Sequence, residues 1–347
     1  MSESGASVPA RAADDGPVID LFAGAGGWDY GASLLGLSPV GIELDEAACR
    51  TRAAAGLRTV RADVVTFPIK RAPLWGLMAS PPCQDFSLAG KRIGLLGSQG
   101  RLVWQALRYA EELRPMWCAF EQVPQVLEIW QHFAYRLRCL GYHAWVGVLN
   151  AADYGVPQTR RRAVLLAHRE RLVEPPEPTH CELGQPAGMF GSARAPWVSM
   201  EDALGWGFDV PSATVAAGGT RTGGGWEPFA NAEYRRRLSA LVVDRRTNSK
   251  DGRGGMVPTV PVPAWRPAPT LTGKGAAGQW LIRGPGDDSR NITIAEAAVL
   301  QSFPPDYPWQ GTKGQQGQQI GNAVPPLLAA HVLSAVTGRP VALEAAA

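Results

Sequence analysis

The stretch Val18-Ile19-Asp20-Leu21-Phe22-Ala23-Gly24-Ala25-Gly26-Gly27 joins a short apolar run to a cluster of glycines. Its first five residues have the length and composition of a buried strand, and the glycines interrupt the pattern directly after it. In open α/β sheets, ligands bind beyond the carboxyl ends of the strands. Because glycine has no Cβ, a loop of this kind can bring its backbone close to a ligand. The stretch therefore predicts the first strand of an α/β sheet, followed by a ligand-binding loop.

The first half of the chain continues with alternating strand and helix patterns. Further strands are predicted over 40–44, 59–63, 74–80, 117–121, 144–149 and 163–167. Helices are predicted over 28–37, 45–55, 102–113 and 126–140, and Asp45 is the expected N-cap of the second. Strands that alternate with helices form a mostly parallel, doubly wound sheet, so the expected fold class is α/β.

The composition changes after about His168, where Pro, Gly, Trp and Arg dominate and the periodicity fades. Helical patterns return at 293–302, where Glu296 is the expected capping-box partner of Thr293, and again around 327–336. We therefore expect a main α/β domain, a smaller domain of irregular β and loop structure, and C-terminal helices that rejoin the first domain. The expected bounds are a tail over 1–16, the main domain over 17–170, the small domain over 171–290, the returning helices over 291–338 and a tail over 339–347.

Composition excludes several classes of protein. The formal net charge of +3 is weakly basic, and 45% hydrophobic residues are ordinary for a globular chain. No apolar run is expected to reach the ~18 residues that span a bilayer, and the N-terminus lacks the pattern of a secretory signal. The five cysteines include no C-x-x-C pair, so neither a disulfide framework nor a metal site is expected. These features favour a reducing cytoplasm.

The glycine loop and two strand ends favour an adenosyl ligand without a pyrophosphate. The spacing of Gly24, Gly26 and Gly27 is not G-x-G-x-x-G, which disfavours a dinucleotide site. Glu43 ends the second strand, where a carboxylate can accept hydrogen bonds from ribose hydroxyls. Asp63 ends the third strand and can meet an adenine amino group. This arrangement suits S-adenosylmethionine; the alternative, of equal weight from position alone, is that both acids only cap local backbone.

The segment Ser80-Pro81-Pro82-Cys83-Gln84 follows an apolar strand and precedes a glycine-rich loop. Such a turn presents a single thiol, which is either a nucleophile or a packing residue. Glu121 ends the fifth predicted strand, where a carboxyl group can donate a proton. In an extended segment, Gln158, Arg160 and Arg162 point to one side, and a guanidinium beside a thiol favours the thiolate.

These groups fit one reaction, the methylation of cytosine at C5. A thiolate from Cys83 adds to C6 while Glu121 contacts or protonates N3, and C5 becomes nucleophilic enough to take a methyl group. The base must be flipped out of a duplex for this to happen. The glycine-rich loop from 84 to 101 can close over the base, with Lys91, Arg92 and Arg101 on phosphates.

A basic stretch in the second region fits contact with nucleic acid. Between residues 221 and 266 there are nine basic and four acidic residues. Clustered basic residues interleaved with Gly and Trp suit phosphate contact, and the alternative is an ordinary solvated surface. The candidate DNA-contacting residues in the loop and in this region are Gln84, Ser87, Lys91, Arg92, Arg101, Arg235, Arg236, Arg245 and Arg246.

In order and along nearly its whole length, the chain resembles the DNA (cytosine-5-)-methyltransferases. The motifs that carry the resemblance lie at 20–27, 43, 63, 82–84, 121–123, 158–162, 266–272 and 319–326. The resemblance implies the methyltransferase fold with S-adenosylmethionine held by Phe22, Gly24, Gly26, Gly27, Glu43, Asp63, Pro82 and Asn322. It implies catalysis by Cys83, Glu121, Arg160 and Arg162, and a target recognition domain between the arginine motif and Arg266. It also implies double-stranded DNA as substrate, with a cognate restriction endonuclease as a possible partner, and a monomeric cytoplasmic enzyme of a bacterium or phage.

One residue departs from the family pattern. Gln122 stands where the family usually has Asn, which keeps the amide but adds a methylene. We expect altered geometry or rate, and retained activity.

Several rival functions fit the sequence less well. Amino-methyltransferases have an aromatic residue where Cys83 stands, and a zinc deaminase would need a second nearby cysteine. A non-catalytic relative would be expected to lose Cys83 or Glu121. A tRNA cytosine-5 methyltransferase of the same family is the nearest alternative, and the long region from about 171 to 265 favours DNA over it.

Overall fold

The computed structural model describes residues 16–69, 72–82, 100–187, 192–205, 242–245, 262–271, 280–283 and 289–342. Its main sheet has seven strands in the order β3-β2-β1-β4-β5-β8-β6. These strands are β1 (Val18–Leu21), β2 (Val40–Glu43), β3 (Thr59–Arg61), β4 (Gly76–Ala79), β5 (Trp117–Gln122), β6 (His143–Asn150) and β8 (Arg161–His168). Neighbouring strands from β3 to β5 are parallel, whereas β8 runs antiparallel to both β5 and β6.

Helices cover both faces of this sheet. The described α-helices are α1 (Gly27–Ser33), α2 (Glu46–Ala54), α3 (Val103–Leu113), α4 (Leu127–Cys139), α5 (Met200–Leu204), α6 (Ile294–Leu300), α7 (Lys313–Asn322) and α8 (Pro326–Thr337). Asp45 caps α2 and Thr293 forms a capping box with Glu296 on α6, as the sequence predicts. The mostly parallel, doubly wound α/β fold is therefore confirmed.

Successive residues of the central strands alternate between two hydrophobic cores, because side chains point to opposite faces of a strand. Met78 and Trp117 pack in the core that contains α1 and α8. Leu77 and Phe120 pack in the core on the opposite face, which contains α3 and α4. Both faces of the sheet are therefore covered, and the carboxyl edge of the strands is the side left for a site.

The C-terminal helices pack as part of the protein interior. Residues of α8 share a core with α1, and a third core joins α5, α6 and α7. Lys313–Thr337 is long and apolar enough to cross a membrane by length and composition alone. It consists of two helices broken at residues 323–325, and most of its apolar part is buried inside the protein. That burial is typical of core helices.

Eight short strands lie outside the main sheet in the described residues. They are β7 (Gln158–Thr159), β9 (His180–Cys181), β10 (Ala195–Pro196), β11 (Val242–Arg245), β12 (Val262–Pro263), β13 (Ala268–Pro269), β14 (Trp280–Arg283) and β15 (Ser289–Asn291). Four of them form a sheet in the order β12-β11-β14-β15, and β13 pairs with β7. The pairing of β13 with β7 brings the motif at 266–272 onto the segment at 158–162.

Candidate active site

Four neighbouring parallel strands end at the same edge of the main sheet. In the order β2-β1-β4-β5, their last residues are Glu43, Leu21, Ala79 and Gln122. The loops that follow β1 and β4 hold the glycines and the Ser80-Pro81-Pro82 turn. The acids Glu43 and Glu121 lie at the ends of β2 and β5. Strand order therefore gathers at one edge groups that lie up to about a hundred residues apart in the chain.

The loop after β1 is held in an unusual backbone conformation. Phe22 has φ 58° and Gly24 has φ 52°, both in the left-handed region. A bulky residue adopts that region at an energetic cost, and such strain is concentrated at functional sites. A Cβ built on Gly24 would have no atom within 4 Å, so open space lies beside this glycine. This is the point where a ligand can approach the main chain.

Glu43 ties the glycine loop to the end of β2. Its Oε2 accepts a hydrogen bond from the Gly24 amide at 2.7 Å, and its Oε1 accepts from the amides of Leu44 and Asp45 at 2.8 and 2.7 Å. These bonds orient the carboxylate at the edge of the sheet. Asp63 accepts from the Val65 amide at 2.8 Å, within its own turn. Both acids thus bind nearby backbone, and Glu43 also binds the glycine loop. Oε1 of Glu43 already accepts two bonds, whereas its Oε2 and the Asp63 carboxylate retain acceptor capacity.

Protein packing requires Gly27, and a φ of 101° requires Gly26. A Cβ on Gly27 would lie 2.2 Å from the carbonyl oxygen of Val324, and one on Gly26 would lie 2.3 Å from Cδ1 of Leu57. The close approach at Gly27 seats the chain after α7 against the glycine loop. It brings the end of α7, where the exposed Asn322 lies, to the same edge.

The buried ion pair of Arg52 and Asp29 packs against the glycine loop. Both Nη atoms of Arg52 donate to the two carboxylate oxygens of Asp29, at 2.7 and 2.8 Å, and both side chains are almost fully buried. Arg52 also donates to the carbonyl oxygen of Ala23, at 3.3 Å, and to Oγ1 of Thr59, at 2.9 Å. One guanidinium therefore links the loop, α1 and β3, a role that the sequence alone did not reveal.

Asp20 lies fully buried next to this pair. Neither of its carboxylate oxygens receives a hydrogen bond from the described residues. Burial raises the pKa of Asp20 well above its usual range, and the neighbouring charge of Asp29 raises it further, although Arg52 opposes the shift. A protonated Asp20 can donate its hydroxyl proton to the Asp29 carboxylate, so that the two neighbouring acids share a hydrogen bond and do not repel each other.

We expect Arg52→Lys to lower the free energy of unfolding by about 2 kcal/mol, because lysine cannot reproduce the two-pronged bond to buried Asp29. Arg50→Lys on the same helix is the matched control. Arg50 pairs with Glu46 at the exposed surface, and its replacement should change stability by less than about 0.5 kcal/mol. Urea unfolding followed by circular dichroism measures both. Equal effects of the two substitutions would contradict the structural role of Arg52.

Glu121 lies at the centre of the site, buried at the end of β5. Arg162 Nε approaches Glu121 Oε1 at 2.8 Å, and the hydroxyl of Ser80 donates to Glu121 Oε2 at 2.9 Å. Trp28 Nε1 in turn donates to Ser80 Oγ at 2.8 Å. The carboxyl group is therefore held through both of its oxygens. Neither Ser80 nor Trp28 was among the predicted site residues, although Ser80 belongs to the same turn as the predicted nucleophile Cys83.

Gln122 fixes the turn that precedes Cys83. Its side-chain amide nitrogen donates to the carbonyl oxygen of Pro81, and its side-chain oxygen accepts from the Val123 amide. Glutamine at this position can therefore tether the Pro81-Pro82 turn to β5. The expectation of retained activity stays a prediction.

The alternation predicted for the arginine motif is present, but its side chains go to different partners. Gln158, Arg160 and Arg162 are buried, whereas Arg161 is exposed. Arg160 donates to the carbonyl oxygens of Leu271, Gly321 and Ala323, at 3.0 to 3.1 Å. Gln158 donates to the side chain of Gln301, at 2.7 Å. Arg162 contacts Glu121, whereas the hydrogen bonds of Arg160 join its segment to the main chain at Leu271 and at the end of α7. The predicted placement of both guanidiniums beside the reacting groups stays a prediction.

Much of the predicted DNA-contacting set lies outside the described residues. This holds for Gln84, Ser87, Lys91, Arg92, Arg235, Arg236 and Arg246, and the predicted nucleophile Cys83 lies outside them too. Arg245 ends β11, with its backbone alone described. Arg101 is exposed in a 3₁₀ turn before α3, and Pro82 is half-buried beside the buried Pro81.

An exposed apolar side chain next to Glu43 was not predicted as part of the site. Leu44 directly follows the acid at the end of β2 and is 60% exposed. A large apolar residue left in water at a ligand-binding edge is a candidate for covering the flat face of a ligand. Its position directly after a strand end, and not its residue type, is the signal in the sequence that indicates Leu44 as a candidate.

Comparisons with known proteins agree with this geometry. Residues 17–188 and 220–338 match the model of the C-5 cytosine-specific DNA methylase family. The Type II methyltransferase M.XorII of Xanthomonas oryzae pv. oryzae is 31% identical over 361 residues, which cover 90% of this chain and 82% of the relative. The Type II methyltransferase M1.HphI of Haemophilus parahaemolyticus is 29% identical over 348 residues, which cover 92% of this chain and 86% of the relative.

Solved structures share the fold at lower identity. Schizosaccharomyces pombe Dnmt2 methyltransferase superposes with a TM-score of 0.57 at 17% identity, over 93% of this chain and 98% of that one. The Entamoeba histolytica methyltransferase EhMeth has a TM-score of 0.57 at 15% identity, over 94% and 98% of the two chains. These likenesses concern the architecture, which extends over nearly the whole chain.

Proposed function

The chain belongs to the C-5 cytosine-specific DNA methylase family, and we propose that Cys83, Glu121, Arg160 and Arg162 carry out its reaction on a flipped-out cytosine of duplex DNA. The enzyme is a DNA cytosine C5 methyltransferase, and its family uses S-adenosylmethionine as methyl donor. The observation that supports the proposed residues best is the buried Glu121, held by Arg162 and Ser80 directly beside the turn that leads to Cys83.

The residues at the edge of the sheet fit S-adenosylmethionine. Gly24 has open space where a side chain would stand, and the strained Phe22 precedes it. We propose that Glu43 binds the ribose hydroxyls, that Asp63 meets the adenine amino group and that Leu44 covers the adenine face. Gly26, Gly27, Pro82 and Asn322 complete the proposed pocket. S-adenosylmethionine supplies the methyl group when it is bound there.

The proposed chemistry follows from the reactivity of the pyrimidine ring. The Cys83 thiolate forms a bond to C6, and the displaced electron pair moves toward N3, where Glu121 delivers a proton. The ring then behaves as an enamine, so C5 is nucleophilic and accepts the methyl group. Removal of the C5 proton by a base lets the C6–S bond break, and the proton on N3 returns to the Glu121 carboxylate. These steps restore the aromatic ring, the thiolate and the acid. Arg162 keeps Glu121 oriented at N3.

Duplex DNA must present the base outside the helix for this addition. We propose that the loop with Gln84, Ser87, Lys91, Arg92 and Arg101 closes over the extruded cytosine and contacts the backbone. The region 171–290 is proposed as the target recognition domain, in which Arg235, Arg236, Arg245 and Arg246 contact phosphates.

The relatives suggest the biological setting. Both are named Type II methyltransferases, so we propose that this enzyme protects a specific sequence in a restriction–modification system. A cognate endonuclease is then the expected partner, and the enzyme acts as a monomer in the bacterial cytoplasm, encoded by the bacterium or by a phage.

The function is tested by the chemical identity of the product. Duplex DNA is incubated with the purified protein and radiolabelled S-adenosylmethionine, then digested to nucleosides. We expect the label in 5-methylcytosine, and bisulfite sequencing of DNA from expressing cells should place it within one short sequence. Label in N4-methylcytosine or N6-methyladenine, or in tRNA with none in DNA, would contradict the proposal.

A further inference from the structure

Ser80 lies between two groups that determine what its hydroxyl does. Its Oγ accepts a hydrogen bond from Trp28 Nε1 at 2.8 Å and donates to Glu121 Oε2 at 2.9 Å. Trp28 is 2% exposed and Glu121 is 4% exposed, so little water competes for these bonds. The three residues come from α1, the turn after β4 and the end of β5, which meet only in the folded protein.

The hydrogen bonds that link Trp28, Ser80 and Glu121 can run in only one direction. An indole N–H can only donate, so Ser80 Oγ must accept from Trp28. The one hydroxyl proton of Ser80 is then directed to Glu121. Arg162, which also donates only, holds the other oxygen of the same carboxylate. Two donors on different oxygens fix both the position and the plane of the carboxyl group.

We propose that Ser80 is a positioning residue that aims the Glu121 carboxyl group at N3 of the cytosine, with Trp28 orienting the Ser80 hydroxyl. The inference rests on the proposed role of Glu121. Acid–base catalysis requires the acid within hydrogen-bond reach of the proton acceptor, and small displacements of a catalytic group are costly. Arg162 alone would leave the carboxyl group free to rotate about its bond to that guanidinium.

Ser80→Ala tests the proposal, with single-turnover methyl transfer as the measurement. We expect the rate to fall about tenfold, which corresponds to the loss of one hydrogen bond to a charged group. The dissociation constants for S-adenosylmethionine and DNA should stay within about twofold. Ser80→Thr keeps the hydroxyl and should restore the rate to within about threefold of wild type. Ser33→Ala is the matched control, since Ser33 is half-buried and its Oγ donates to the carbonyl oxygen of Tyr30 at 2.7 Å.

A double-mutant cycle separates positioning from a merely structural role. In a Glu121→Gln background there is no acid left to aim, so Ser80→Ala should slow the reaction by less than about twofold. A full tenfold loss in that background would overturn the proposal, as would a wild-type rate in the single variant. Wild-type protein without methyl transfer would instead overturn the proposed function, so the two failures are distinguishable.

Discussion

Cys83→Ala is expected to abolish methyl transfer to cytosine while binding of S-adenosylmethionine survives. Carbon 5 of cytosine is not nucleophilic in the aromatic ring, and only addition of a nucleophile at C6 changes that. No other group in the proposed mechanism can replace the thiol. The proposed cofactor contacts come from the ends of β1, β2 and β3, from Pro82 and from Asn322, and none of them uses the Cys83 sulfur. We expect the rate to fall below detection, by about 10³-fold or more.

The measurement combines activity, cofactor binding and covalent trapping. Wild-type protein should form a stable adduct with duplex DNA that carries 5-fluorocytosine, because fluorine at C5 cannot leave as a proton does. The adduct should survive denaturing electrophoresis and map by mass spectrometry to Cys83. Cys139→Ala is the control, since Cys139 is an exposed thiol on α4. An adduct retained in Cys83→Ala, or full activity of that variant, would remove the covalent mechanism.

Glu121→Gln is expected to slow methyl transfer by about 10²-fold or more, the usual contribution of a positioned acid or base. Glutamine has nearly the same volume and can accept the Ser80 hydrogen bond. It cannot deliver a proton to N3 as a carboxylic acid does, and it leaves Arg162 without its charged partner. Rapid-quench kinetics with enzyme in excess over DNA measures the step directly.

Glu111→Gln provides the comparison for this variant. Glu111 also pairs with an arginine, Arg136, at 2.6 Å, but on the outer surface of α3 and α4. Its replacement should leave the rate unchanged. If Glu121→Gln keeps the wild-type rate, Glu121 serves the structure and the proton for N3 has another source. Loss of rate in both variants to the same degree would point to a general effect of removing an ion pair.

The strands and helices of the main domain followed from local patterns. Residues 18–22 and 117–121 read as strands because they are short apolar runs, and the structure has β1 and β5 there. The antiparallel direction of β8 did not follow, because a buried apolar run looks the same in either direction. Helix α7 was also missed as a helix. Its glycines and glutamines give no apolar periodicity, and its cap and burial against neighbouring helices stabilise it.

The sequence likewise predicted some features of the candidate site and missed others. The residue types that carry the chemistry, Cys83 and Glu121, were visible as strand-end residues in the sequence. The partner of Glu121 was visible only as an arginine in an extended segment. That Gly27 borders a ligand stays a prediction, and the structure adds a second reason for glycine there, the Val324 carbonyl oxygen 2.2 Å from where its Cβ would lie. The sequence gives no distance between segments, so it cannot say whether a glycine faces a ligand or another part of the protein.

By itself, the sequence determined the fold class, the reaction type and the order of the chemical groups, because strand periodicity, glycine loops and residue chemistry are local properties. Tertiary structure alone decided which groups touch. Ser80 meets Glu121 across 41 residues, and Trp28 meets Ser80 across 52. Arg52 reaches Asp29 from another helix. Such contacts depend on strand order and on the packing of α1 and α2 against the sheet edge. The free energy that stabilises this arrangement comes from burial of the whole core, which no single segment specifies.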